Sequence, residues 1–219
     1  LTKFLAGEDK EYLATMLLGV KTDTLDSKGK IIATSDKFVS EEEIRTAITQ
    51  MKGKIKQIPP AYSAVKYHGE PLYKWARRGI FLDKEPREVE INSIMIENIS
   101  LPRVTFRVDC SKGTYIRTLC SDIGERLGCG ACLCGLRRLR SGFFSEEMAV
   151  SLNNSENYTY NDKKNELLKR ILPMAKLMPL MLAIEVEDNF AAKLRNGTQP
   201  SVEMMKGCVL PFLAAGDMI

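Results

Sequence analysis

The chain has 219 residues, of which 44% are hydrophobic and 27% are charged, which is ordinary for a globular protein that buries a sizeable core. It contains no apolar run near the roughly 20 residues of a membrane-spanning helix. Its first residues have neither the basic segment nor the cleavage site of a signal peptide. We therefore expect a soluble, cytoplasmic protein with no membrane association. The net charge of +4 only weakly favours a polyanionic partner.

The first part of the chain predicts strands followed by one amphipathic helix. After an opening that resembles the tail of a helix, residues 12–18 alternate between apolar and polar, and residues 30–34 follow a turn-rich stretch. Both segments predict strands. A capping box of Ser40 and Glu43 opens a run of apolar residues at helical spacing, which predicts a helix over residues 40–53.

The middle of the chain predicts more strands and a second helix. The strands are predicted at residues 89–99, 104–110 and 133–144. The first two of these are expected to pair through Pro102 and its neighbours. Residues 114–127 predict a helix, because their apolar residues share one side and a glycine follows its end. Together these elements predict an α+β fold, a mixed and largely antiparallel sheet on which helices 40–53 and 114–127 pack.

The last third predicts a linker and a small appendage. Residues 152–165 are polar and poor in large aliphatic side chains, which favours a surface linker. A helix at 166–172 is predicted to follow, and then a short strand and a helix within 183–196. The chain stops in what resembles the start of a strand, so we expect it to be truncated. The predicted regions are a main domain, a linker with its helix, and a partial domain, at residues 1–151, 152–182 and 183–219.

Three of the six cysteines form a C-x-x-C-x-C cluster, Cys129, Cys132 and Cys134. A structural zinc site usually takes four ligands from two paired clusters, whereas the sole histidine, His68, lies far upstream. We therefore expect reduced, mostly buried thiols and no metal. A zinc-stabilised knuckle is the alternative, which metal analysis of the purified protein would test.

The segment SKGTYIR, residues 111–117, joins a predicted strand to a predicted helix. Helix N-termini carry free amide groups and favour anions, and Lys112 adds a positive charge beside them. Tyr115 and Arg117 fall in the first helical turn, from which a ring and a guanidinium can face a cleft. The alternative is that Tyr115 packs on the sheet and Arg117 pairs with a local carboxylate such as Asp122.

Residues 57–87 interleave aromatic and basic side chains, namely Tyr62, Tyr67, Tyr73 and Trp75 with Lys66, Lys74, Arg77, Arg78, Lys84 and Arg87. Aromatic rings stack on unpaired bases and cations neutralise phosphates, so the mixture suits looped RNA. The alternative is a solvated helix at 72–79 with a partly buried Trp75. His68 is interpreted as a loop residue or a phosphate contact. Downstream, LRRLR at 136–140 predicts a strand with one basic face.

Taken together and in this order, the motifs resemble the TruB-type tRNA pseudouridine synthases. The resemblance runs from residue 2 to about 144 and continues more weakly to the end. It rests on DKEY (9–12), TDTLD (22–26), QIPPAYSAVKYHGEPLYKWAR (57–77), SKGTYIRTLCSDIGERLGCGA (111–131) and LRRLR (136–140).

The resemblance implies a role for several residues. Tyr12 matches the tyrosine that stacks on a flipped-out base, and Leu136 matches a leucine that lines the base pocket. Tyr115 matches an active-site tyrosine, and Arg117 matches the arginine that pairs with the catalytic aspartate. Residues 63–87 resemble the mobile thumb loop that clamps RNA, and residues 183–219 resemble the start of a PUA domain. The implied RNA contacts are Lys66, Tyr67, His68, Lys74, Arg77, Lys112, Arg137 and Arg138.

The implied reaction is an isomerisation without a cofactor. The bond from ribose C1′ to uracil N1 breaks, the base turns, and C5 bonds to C1′ at the T-loop uridine, position 55 of tRNA. The target base must first leave its stack. The implied partner is the T-arm stem-loop of tRNA, with the protein expected to act as a monomer.

The sequence departs from the family at the nucleophile. The family carries its catalytic aspartate in a G-G-T-L-D-P loop, which these 219 residues do not contain. Asp26 in TDTLD is followed by Ser27 rather than proline and matches a strand-connecting turn, so it is a poor substitute. We expect the segment with the nucleophile to be missing and this chain to be inactive. The alternative is a non-catalytic RNA-binding or tRNA-chaperone module.

Overall fold

The computed structural model describes residues 7–150, 165, 168–177, 185–201 and 204. Its contacts divide the chain into two compact units, residues 1–151 and 152–219. The predicted opening helix lies outside the described residues, as do most of the predicted linker and part of the strand and helices predicted after it. No helix among the described residues is long and apolar enough to span a membrane.

Most of the described strands form one antiparallel sheet. The strands are β1 (Lys10–Leu18), β2 (Val20–Thr22), β3 (Ile31–Thr34), β4 (Gly53–Gln57), β5 (Lys66–Tyr67), β6 (Glu70–Pro71), β7 (Arg87–Ser100), β8 (Arg103–Cys110), β9 (Ala131–Ser141) and β10 (Phe144–Ser145). Six of them are arranged in the order β10-β9-β1-β8-β7-β4, while β2–β3 and β5–β6 are separate hairpins. The predicted pairing around Pro102 is confirmed, since Ser100 pairs with Arg103.

The described α-helices are α1 (Glu41–Thr49), α2 (Leu72–Arg77), α3 (Ile116–Leu127) and α4 (Asp188–Arg195). The predicted capping box is present, because the Ser40 hydroxyl accepts from the Glu43 amide and the Glu43 carboxylate accepts from the Ser40 amide. Gly128 ends α3 in the left-handed region, with φ of 71°. Local sequence signals therefore set the start of α1 and the end of α3. The predicted end of the first helix at residue 53 is wrong, because α1 ends at Thr49 and Gly53 begins β4.

Helices α1 and α3 cover one face of the sheet. Buried strand residues alternate, as in Val104, Phe106 and Val108, and they pack against helix residues such as Ile48 and Ile123. Each such side chain stabilises the fold by about 1.5–3 kcal/mol when fully buried. This packing confirms the predicted α+β architecture. The helix-covered face is the hydrophobic core of the first unit.

The opposite face of the sheet carries ion pairs. Arg107, between Phe106 and Val108, contacts Glu97 at 2.9 Å and Glu11 at 3.4 Å. Such exposed pairs stabilise a fold little, by about 0–1 kcal/mol each. This face therefore carries charged side chains, and the buried cluster lies on the helix-covered side of the sheet.

Four of the described strands were not predicted from the sequence, namely β2, β4 and the two-residue strands β5 and β6. Strand β4 is five residues long and pairs along β7, with Gly53 opposite Ile91 and Gln57 opposite Arg87. Strand β2 is three residues long and continues from β1 after Gly19. Both are too short to show a clear alternation, and their main-chain bonds to a neighbouring strand define them.

Candidate functional site

One end of the sheet brings together three of the candidate residues. Tyr12 pairs with Arg138, and Ala14 pairs with Leu136, across β1 and β9. Because alternate residues of a strand share a face, Tyr12, Leu136 and Arg138 project on the same side. The Arg138 guanidinium lies 5.5 Å from the centre of the Tyr12 ring, and the Leu136 side chain is 50% exposed. The cluster combines a half-buried ring, an apolar surface and a cation.

Arg137 does not join this cluster. It pairs with Leu13, so it projects to the opposite face, where it forms an ion pair with Glu146. The predicted basic face of this strand is thus divided between the two sides of the sheet.

The turn at residues 111–115 directly follows β8 and is fixed by its own polar groups. The Ser111 amide donates to the Glu90 carbonyl at 2.8 Å, and the Ser111 hydroxyl accepts from the Glu90 amide at 2.9 Å. The Thr114 hydroxyl donates to the Ser111 carbonyl at 2.8 Å. Gly113 has φ of 82°, which glycine adopts without strain. Lys112, in the middle of the turn, is exposed to solvent.

Arg117 is half-buried in the first turn of α3 and reaches two distant loops. Its Nη1 donates to the Thr24 carbonyl at 3.2 Å and its Nη2 donates to the Tyr62 carbonyl at 2.8 Å. Both of these bonds go to main-chain carbonyls, and among the described residues Arg117 forms no ion pair with Asp122, so the alternative pairing is not formed. A guanidinium has more N–H groups than two bonds require, so Arg117 retains the capacity to bind an anion.

Tyr115 caps the start of α3 in an extended conformation, with φ of −99° and ψ of 109°. The sequence predicted free amide groups at this helix start, but the Tyr115 amide donates to the Gln57 Oε1 at 3.0 Å. In return, Gln57 Nε2 donates to the Tyr115 carbonyl at 3.4 Å. Gln57 is only 2% exposed. Sequence reasoning missed Gln57, and its one available signal was a polar residue directly before the I-P-P segment.

Residues 63–87, which we call the thumb, contain the β5–β6 hairpin and α2. The Tyr67 ring is 42% exposed and lies edge-on to Trp75, with ring centres 6.4 Å apart. The Arg78 guanidinium lies over the Trp75 ring at 4.4 Å. Arg78 therefore covers one face of the Trp75 ring. The ring is half-buried, as the alternative interpretation of a solvated helix with a partly buried Trp75 expects. His68 lies in the hairpin turn with φ of 48°.

The thumb exposes several cations to solvent, namely Lys66, Lys74 and Arg77. Lys84 differs from them, because its ammonium donates to the Pro59 carbonyl at 2.6 Å and burial lowers its pKa. It lines a cleft of about 370 Å³ together with Pro59 and Leu72. Lys84 thus ties the end of the thumb to the segment just before it.

Two of the clustered cysteines, Cys129 and Cys132, are buried, and Cys134 is half-buried. Burial raises the pKa of the Cys132 and Cys134 thiols, which disfavours the reactive thiolate. In the part of the chain that the structure describes, no group of His, Cys, Asp or Glu side chains is arranged to hold a metal ion. The zinc alternative gains no support from these residues.

Asp122 lies on α3 in an open cleft of about 470 Å³, which Lys54 and Arg126 also line. Burial raises the pKa of its carboxyl to about 6, against a smaller lowering by Arg126. Asp122 is therefore a half-buried acid whose pKa lies above that of an exposed aspartate.

Comparison with known proteins identifies two matching family models. Residues 1–116 match the N-terminal domain of the TruB family pseudouridylate synthases, and residues 117–178 match the C-terminal domain of tRNA pseudouridylate synthase B. The tRNA pseudouridine synthase B of Syntrophus aciditrophicus is 48% identical over all 219 residues, which span 69% of that relative. The enzyme of the same name from Clostridium tetani is 41% identical over 91% of the chain and 67% of the relative.

Solved structures show the same similarity. A chain of the Cbf5-Nop10-Gar1 complex superposes with a TM-score of 0.62 and 30% identity over 87% of this chain. A chain of an H/ACA RNP bound to a substrate RNA containing 2′-deoxyuridine gives a TM-score of 0.61 and 26% identity over 90% of this chain. The present chain spans 49% and 50% of the lengths of those two chains.

Proposed function

The chain belongs to the TruB family of pseudouridylate synthases, and on that premise we propose that the protein isomerises the T-loop uridine of tRNA to pseudouridine. One observation carries the proposal. Tyr12 and Leu136 lie on neighbouring strands at the same end of the sheet at which β8 ends, and the chain continues from there to Tyr115 and Arg117 at the start of α3. The reaction proceeds without a cofactor, because the isomerisation neither oxidises nor reduces the base.

Each of these residues has a role in the proposed site. Tyr12 supplies an aromatic platform for the flipped-out base, and Leu136 supplies an apolar wall that excludes water from it. Tyr115 contacts the base from the start of α3. Arg117 keeps the nucleophilic aspartate ionised and oriented, because a neighbouring cation stabilises a carboxylate.

The proposed partner is the T-arm stem-loop of tRNA, bound by a monomer. The exposed cations of the thumb contact phosphates, with Tyr67 and His68 at the tip of its hairpin. Lys112 and Arg138 contact the RNA beside the pocket. Arg137 first has to leave its ion pair with Glu146, so we expect its contribution to be smaller.

We further propose that the 219-residue chain has no turnover by itself. It contains no G-G-T-L-D-P motif, and Asp26 lies in the turn between β2 and β3, where its Oδ1 accepts from the Lys28 amide at 3.0 Å. The same observation supports the second candidate function, a non-catalytic RNA-binding or tRNA-chaperone module. Reading the coding sequence upstream of Leu1 for a T-L-D-P loop distinguishes the two.

A tritium-release experiment tests the proposed function. A T-arm stem-loop labelled with tritium at uracil C5 loses the label to water when C5 bonds to C1′. We expect release by the protein expressed from its complete coding sequence and none by the 219-residue chain. In the complete protein, Arg117→Ala should abolish release, whereas Arg45→Ala on the exposed side of α1 should not.

Two outcomes would contradict these proposals. Release by the 219-residue chain would overturn its inactivity and make Asp26 the nucleophile to test. A complete protein that binds the stem-loop without releasing tritium would favour the non-catalytic module.

A further inference from the structure

The buried amide of Gln57 holds the main chain of Tyr115 at two points. Gln57 is the last residue of β4, its side chain is 2% exposed, and the two hydrogen bonds of its amide both go to Tyr115. An amide offers a donor and an acceptor side by side. It therefore pairs with one residue's N–H and C=O as a neighbouring strand does.

Tyr115 needs such an outside partner because of its place in the chain. It lies between the turn after β8 and the first turn of α3, and its own side chain makes no capping bond. Its carbonyl begins the helical bonding by accepting from the Leu119 amide at 3.0 Å, but the residue itself has an extended conformation. The two hydrogen bonds with Gln57 fix the main chain of Tyr115, and with it the point from which its ring projects.

The residues that follow Gln57 support the same junction. The Thr118 hydroxyl donates to the Ile58 carbonyl at 3.4 Å, and Arg117 donates to the Tyr62 carbonyl at 2.8 Å. Segment 57–62 therefore contacts three of the four residues 115–118, which form the start of α3 and the residue before it. In these two bonds, side chains of α3 donate to main-chain carbonyls of the segment. Gln57 is the reverse case, because its side chain bonds to the main chain at the start of the helix.

We propose that Gln57 is a positioning residue of the uridine site, which aims Tyr115 at the target base. The proposal rests on the proposed function, since it requires Tyr115 to act on that base. Gln57 itself does not touch the RNA. A misplacement of a reacting group by about 1 Å can cost on the order of a hundredfold in rate, so the loss of Gln57 should lower kcat rather than weaken RNA binding.

The test compares Gln57→Met with Ile48→Val in the protein expressed from its complete coding sequence. Methionine keeps the length of the side chain and removes both hydrogen bonds. Ile48 is 1% exposed in α1 and serves as a control for lost stability, which urea unfolding measures in both variants. We expect Gln57→Met to lower kcat about 10–100-fold with KM changed less than twofold, and to speed hydrogen exchange of the Tyr115 amide. Ile48→Val should leave kcat and the hydrogen exchange of the Tyr115 amide unchanged.

The outcomes separate this proposal from the proposed function. If the unsubstituted protein releases tritium and Gln57→Met does so at the same rate, Gln57 has no positioning role. If the unsubstituted protein releases none, the proposed function fails, and unchanged exchange at Tyr115 would then overturn the anchoring as well. Should Gln57→Met not fold, Gln57→Leu replaces it, because leucine is apolar, of similar volume, and can neither donate to the Tyr115 carbonyl nor accept from its amide. An unchanged kcat in that variant overturns the proposal.

Discussion

Residues 111–117, which join β8 to α3, and the thumb at residues 63–87 differ in structure. The first segment carries the proposed contact with the target base, and the thumb carries the proposed binding of RNA phosphates. The first segment runs from a core strand into a core helix. Its polar groups bond to main-chain atoms of β7 and of the stretch that follows β4, and to the Gln57 side chain at the end of β4. The thumb consists of two-residue strands and a six-residue helix, and most of its charges face solvent.

The difference indicates where each region can tolerate change. A reacting base must be placed within a fraction of an ångström. The residues that contact it therefore need support from buried hydrogen bonds and packed side chains. Phosphates are bound by charges that act over several ångströms, so the thumb needs exposed cations more than a fixed geometry. Substitutions in the first region should therefore change stability and rate, and those in the second should change the salt dependence of binding.

The largest expected effect is on stability. Phe106 in β8 is fully buried, whereas Phe81 in the thumb is 65% exposed. Phe106→Ala should lower the free energy of unfolding by about 3–5 kcal/mol, and Phe81→Ala should change it by less than about 0.5 kcal/mol. Urea unfolding followed by circular dichroism measures both. Equal losses would mean that the thumb belongs to the same packed core as the sheet.

The next effect concerns RNA binding. Lys66 and Arg77 are exposed on the thumb, and each phosphate contact contributes about 0.7–0.9 to the slope of log K against log salt. The double variant Lys66→Ala/Arg77→Ala should reduce the slope for a T-arm stem-loop by about 1.4–1.8, with an unchanged unfolding midpoint. Trp75 is the sole tryptophan and its fluorescence reports binding at the thumb.

The matched control removes two cations outside the thumb, in Lys28→Ala/Arg45→Ala, and should leave the slope as it is. If the two double variants had the same slope as the unsubstituted chain, the thumb would not be the phosphate-binding region.

The smallest effect concerns pH and the helix that presents Arg117. Burial raises the pKa of Asp122 to about 6 from an ordinary value of 3.8, so between these values the folded protein binds more protons than the unfolded chain. The contribution of Asp122 to the free energy of unfolding should therefore fall as pH rises from about 4 to about 6 and then level off.

Asp122→Asn removes this dependence. It should stabilise the protein at pH 7 by up to about 1 kcal/mol, after allowance for the partial exposure of the carboxyl, and by nothing below about pH 4. Urea unfolding at a series of pH values measures the difference. A difference that is the same at pH 4 and pH 7 would show that the carboxyl does not titrate in this window.

Much of the fold could be predicted from the sequence because its signals are local. The capping box at Ser40, the alternation in β1 and the glycine after α3 each act over a few neighbouring residues. The short strands β2 and β4 could not be predicted, because pairing with distant strands defines them. The order of the motifs also indicated the family, which the comparisons confirm.

The sequence by itself determined which residue types are present at the site, including Tyr12, Tyr115, Arg117 and Leu136. Only the tertiary structure decided how they are held. The carbonyl partners of Arg117 lie 93 and 55 residues away, and Gln57 lies 58 residues from Tyr115. Every residue has a main-chain carbonyl and nearly every residue has an amide, so bonds to these groups leave no signature in residue type or spacing. They become visible only when the folded sheet brings the segments together.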